Sequence, residues 1–140
     1  MNKLLLLLFL IPNLVMAELK PLSFSLEDSP AMMVYKAQRC SAFFLASEWL
    51  FEISNKPEIA KVMNGKATKL GGLAYSAAKN SKAKITPDSN AEGVMRIYNL
   101  YINDMQSARA ASGNYTDGVA GSDAALCNSL YDSVEAALKR

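Results

Sequence analysis

Apolar residues recur at the i, i+3, i+4, i+7 spacing of an amphipathic helix in four stretches of the chain, and a helix-start signal precedes each. In the first, Met33, Ala37, Cys40, Phe43, Phe44, Leu50 and Phe51 predict a helix from about Pro30 to Ile53. Asp28 or Ser29 is its N-cap, with Pro30 just inside, where the missing N–H has no intrahelical partner to lose. The second opens at Asn55 or Lys56 with Pro57 in the first turn and continues to about Lys82, its apolar side formed by Ile59, Val62, Met63, Ala67, Leu70, Ala74 and Ala77. Gly65, Gly71 and Gly72 interrupt it, and each interior glycine costs about 1 kcal/mol relative to alanine, so a kink or a close helix contact is expected there.

Thr86 caps the third helix, with Pro87 and Asp88 in its first turn. Val94, Ile97, Tyr98, Tyr101, Met105 and Ala108 form its stripe, and Ser112-Gly113-Asn114 ends it just beyond Ala111. The fourth is expected to open at Ser122 or Asp123 and to run to the C-terminus, with Cys127, Leu130, Tyr131, Val134 and Leu138 facing inward. Four amphipathic helices joined by short connectors predict an all-α fold, a small up-down-up-down four-helix bundle formed by residues 30–140 as a single helical domain. Residues 18–29 break the helical period, because Leu22, Phe24 and Leu26 alternate; they predict an extended N-terminal arm lying on the bundle.

Residues 1–17 carry a different pattern. Lys3 is followed by an apolar run from Leu4 to Leu14 and then by Val15-Met16-Ala17, the three-part layout of a secretory signal cleaved before Glu18. The run contains Pro12 and falls short of the roughly 20 residues that span a bilayer. The expected product is periplasmic or secreted, without a transmembrane span after processing. Loss of Lys3 lowers the net charge from +2 to +1, which removes the main electrostatic reason for nonspecific nucleic-acid binding.

Export changes the reading of the two cysteines. In an oxidising compartment Cys40 and Cys127 are expected to form a disulfide, and both lie on inward stripes of helices that neighbour each other in such a bundle. The alternative is two free buried thiols or a redox pair, although no Cys-x-x-Cys is present. The chain has no histidine and only two cysteines, so the commonest general base and the usual zinc ligands are missing, and neither a metal nor a cofactor is expected.

Charge is uneven along the chain. Seven lysines and one acid, Glu58, lie between Lys56 and Lys84. Lys61, Lys66, Lys69, Lys79 and Lys82 therefore form a candidate surface for an anionic partner, the alternative being an ordinary solvated face.

The motifs that suggest catalysis are weakly supported. Ser76-x-x-Lys79 and Ser81-x-x-Lys84 match the S-x-x-K nucleophile pattern, yet the Lys-Thr-Gly and Ser-Asp-Asn elements that accompany it in penicillin-interacting enzymes do not occur. Gly65-Lys66 lacks the first glycine and the hydroxyl of a phosphate loop, where Ala60 and Ala67 stand instead. Asn114, Thr116, Asp117 and Asp123 bring oxygens to a glycine-bearing loop, but Gly113 and Tyr115 occupy ligand positions of the calcium-loop register, and a turn-rich connector explains the composition better. Glu48 and Glu52 share a helix face, with Trp49 between them in sequence but on a different face, and no cleft is visible.

By elimination, the expected function is that of a non-enzymatic binding or accessory protein whose partner is another envelope or secreted protein or an anionic surface. A small periplasmic stress chaperone or holdase is the alternative, on likeness of size, compartment and single disulfide to small acid-activated chaperones. A cell-envelope hydrolase using Glu48, Glu52 or Ser76 is a third reading.

Overall fold

A computed structural model describes residues 19–22 and 29–139. The leader 1–17, Phe24 and Leu26 of the arm, and Asp28 lie outside the described residues. Four helices follow in chain order: α1 (Pro30–Ile53), α2 (Pro57–Asn80), α3 (Pro87–Ser112) and α4 (Val119–Leu138). Short connectors reverse the chain between them in the up-down-up-down order.

Local signals set most of the boundaries. Ser29 Oγ accepts from Met32 N and caps α1, and Pro30 follows at the first helical position. Thr86 and Ser89 form a reciprocal capping box at the start of α3, which ends at Gly113 in the left-handed conformation with φ of 85°. That φ is the region glycine enters without a Cβ penalty. α2 runs without interruption through Gly65, Gly71 and Gly72, so of the two expected outcomes the close contact is realised. A Cβ on Gly71 would stand 3.3 Å from Ser41 Oγ, while Ser41 Oγ donates to Ala67 O at 2.8 Å.

α4 departs from expectation. It begins at Val119, ahead of Ser122 and Asp123, on an N-cap, Gly118, that has no side chain to offer. The missing acceptor comes from α3, where Asp104 Oδ2 accepts from Ala120 N at 3.0 Å. Asp123 is released from capping and is fully buried.

α1 occupies the centre. It packs against α2, α3 and α4, and Lys36, Ala37, Arg39 to Phe44, Ala46 and Ser47 are buried, which is burial around the whole circumference and not one stripe. Ala67, Leu70 and Ala74 of α2, Val94, Tyr101 and Met105 of α3, and Ala120, Leu126 and Cys127 of α4 complete the core. The stripes fray at their ends: Ile59, Val62 and Leu138, expected inside, are exposed. Cys40 and Cys127 are bonded, with their Cα atoms 5.1 Å apart, and staple α1 to α4. An intramolecular disulfide fits an oxidising compartment. Among the described residues no helix is long and apolar enough to cross a membrane.

Candidate functional site

Two constructions stand out inside this frame, a buried ionic cluster beside the arm and an apolar cavity toward the other end of α1. In the cluster, Arg39 Nε and Nη2 donate to Asp123 Oδ2 at 2.8 and 2.6 Å, and Nε also reaches Tyr101 Oη at 3.1 Å. The Tyr101 hydroxyl donates to the same carboxylate oxygen, and Arg39 Nη1 donates to Tyr35 Oη at 3.1 Å.

The arm closes the set. Leu22 N donates to Asp123 Oδ1 at 2.8 Å, and Arg39 Nη2 donates to Lys20 O. Residues 19–22 are therefore tied to α1 and α4 through backbone groups, with Leu19 and Leu22 packed on the core. Burial pushes the Tyr101 hydroxyl well above its ordinary pKa, and its bond to the Asp123 carboxylate adds to the effect. Burial alone works against the charge on Arg39, but the tyrosines and Asp123 outweigh it and keep the guanidinium firmly protonated. Every hydrogen-bonding group of the cluster has a protein partner, so it has the character of a structural tie and leaves no acid or base free for a substrate.

The cavity has about 540 Å³ of space and opens to solvent between the helices. Phe43, Phe44, Ser47, Leu50 and Phe51 of α1 and Met63 of α2 form one side. Met105 of α3, Thr116 of the preceding connector and Ala120, Gly121, Ala124 and Asn128 of α4 form the other. Its room comes from the small residues of α4 facing the aromatic rings of α1. Gly121 has a further reason to be glycine: a Cβ there would fall 1.9 Å from Thr116 O. The polar atoms of the wall are few, and Ser47 Oγ is already bonded to Phe43 O at 2.9 Å.

The five candidate lysines divide between two settings. Lys66 Nζ donates to Asn128 Oδ1 at 2.8 Å and stands 5.0 Å from the ring centre of Phe44 and 4.9 Å from that of Tyr131. Lys69 forms an ion pair with Glu135 and bonds Tyr131 Oη at 3.4 Å. This pairing raises the Lys69 pKa and lowers that of Glu135. Lys61 and Lys79 are exposed five turns apart on the solvent side of α2, and Lys82 lies in the turn beyond it with φ of 61°. The structure thus brings Lys66 and Lys69 to α4 and leaves the other three in solvent.

Glu48 and Glu52 border a shallow depression with Leu45, Trp49, Met95 and Tyr98, and both Glu48 oxygens accept from Asn64 Nδ2 at 2.9 Å. Ser76 is exposed on α2, about 18 Å of helix rise beyond Asn64, so the three hydrolase candidates do not converge. Asn114 Oδ1 accepts from Thr116 N and Oγ1, and Asn114 Nδ2 donates to Asp117 Oδ1 at 2.7 Å, the turn expected of this connector. Trp49 packs edge-on against Tyr115 at 5.9 Å and anchors the connector to α1.

Arg39, Tyr101 and Asp123 were not legible as a cluster in the chain. A signal existed: Asp123 precedes Cys127 by one helical turn, so a fourth helix that faces Cys127 inward also faces Asp123 inward. Compared with known proteins, the chain matches no protein family, no curated protein and no solved structure to a significant degree.

Proposed function

We propose that this protein is an exported, non-enzymatic binding protein, periplasmic or secreted, whose disulfide-stapled bundle holds an apolar group in the cavity between its helices. The observation that carries the reading is that cavity: about 540 Å³, walled by Phe43, Phe44, Met63 and Met105, within the size range of small-molecule sites. The leader-like pattern of residues 1–17 and the disulfide support export.

The test uses the oxidised protein, purified without its leader, and a neutral environment-sensitive probe such as N-phenyl-1-naphthylamine. Saturable fluorescence enhancement at one probe per chain is expected. Ala124→Phe, which projects a ring into the cavity, should suppress it while the helical circular dichroism is retained. A folded, oxidised protein that shows no saturable enhancement would overturn the reading.

A further inference from the structure

A cation stands behind the cavity wall, in contact with two of the residues that line it. Asn128 and Phe44 both line it, and the Lys66 ammonium is bonded to the first and stacked over the second. Among the described residues no carboxylate pairs with Lys66, whereas its neighbour Lys69 is neutralised by Glu135. The rings of Phe44 and Tyr131 hold the ammonium in place through their π faces, and they take the place of part of its hydration without cancelling its charge.

From this juxtaposition we infer that the cavity takes a medium- to long-chain fatty acid, with its carboxylate on Lys66 and its alkyl chain along Phe43, Phe44, Met63 and Met105. The inference rests on the binding reading above and adds the chemistry of the ligand. A cation with no carboxylate partner among the described residues matches a monoanion. A peptide segment fits poorly, because its amide groups would need partners that the aromatic and thioether wall does not provide. A single alkyl chain has no such groups, and its methylenes gain from each increment of wall they cover.

The experiment is a calorimetric titration of the delipidated, oxidised protein with decanoate, laurate and myristate, with dodecanol and dodecyltrimethylammonium as neutral and cationic counterparts, all below their micellar concentrations. Laurate should bind about tenfold more tightly than dodecanol, through a charge-assisted contact, and dodecyltrimethylammonium should bind most weakly. Two added methylenes should tighten binding roughly tenfold until the cavity is filled. Lys66→Gln retains a donor for Asn128 and should bring laurate down to the affinity of dodecanol, leaving dodecanol unchanged.

Equal affinity for laurate and the cationic amphiphile would overturn the assignment of the head group while the cavity reading stands. Failure of all three C12 compounds to bind the folded protein would overturn both. Should Lys66→Gln not fold, the charge series on the unmodified protein and its weakening with salt decide the matter.

Discussion

Asp123 shows how much one side chain can organise here. It is fully buried, accepts from Arg39, Tyr101 and the backbone of Leu22, and so joins α4 to α1, to α3 and to the arm. Asp123→Ala would leave the Arg39 guanidinium buried without its counterion, and such a broken pair costs about 3–5 kcal/mol. Urea unfolding should show a loss of that size, and Arg39→Met combined with Asp123→Leu should recover only part of it, since the apolar pair leaves no orphaned charge but still deprives the Tyr101 hydroxyl and Leu22 N–H of their acceptor. A loss under about 1 kcal/mol for Asp123→Ala would mean that the pair is not closed to water.

Tyr101 makes the same cluster sensitive to alkali. Its folded pKa lies above the unfolded value of about 10. The contribution is complete below pH 10 and is lost as pH rises beyond it, because the unfolded chain releases a proton that the folded chain retains. Tyr98 and Lys69 are shifted the same way. The diagnostic is therefore a difference: between pH 9 and 11 the urea midpoint of the unmodified protein should fall more steeply than that of Tyr101→Phe. Parallel slopes would contradict a protonated Tyr101 in the cluster.

At the scale of the helices, two helical glycines carry opposite expectations. Gly72 is exposed on α2, with nothing within 4 Å of an added Cβ. Gly72→Ala should therefore stabilise the protein by about 0.5–1 kcal/mol through backbone entropy alone. Gly121→Ala forces a methyl against the Thr116 carbonyl and should destabilise by about 1–3 kcal/mol, the usual cost of overpacking. Thermal unfolding followed by circular dichroism reads both changes, and a neutral Gly121→Ala would show that the connector yields easily. α1 and α3 were legible nearly to the residue because Ser29, Thr86 and Gly113 cap them locally, and the start of α2 because Pro57 marks its first turn. α4 was not, because its cap, Asp104, lies on another helix and no local pattern records it.

For the whole molecule, the Cys40–Cys127 bond closes a loop with a sequence separation of 87 residues, and the chain-entropy treatment gives about 4–5 kcal/mol for a loop of that length. That is a large share of the stability of a small domain. Reduction, or joint replacement Cys40→Ala and Cys127→Ala, should lower the unfolding free energy by several kcal/mol. A nearly unchanged urea midpoint would mean that the helices pack fully without the staple.

Helix number, helix type and the cysteine pairing follow from period, caps and compartment, all of which act over one or two turns or, for the pairing, reduce to a choice with a single partner. Which helix lies at the centre does not follow in that way. α1 reads as one apolar stripe, yet Lys36, Arg39, Ser41 and Ser47 are buried as well, because polar groups can be satisfied on every side once three helices surround them. The cavity and its cation belong to the same class. The small residues of α4 oppose the rings of α1 only after both helices pack, and Lys66 differs from Lys61 or Lys79 in what α1 and α4 bring to it. Local spacing decides where a helix runs and which face is apolar, whereas long-range packing decides which charges are neutralised and where space is left.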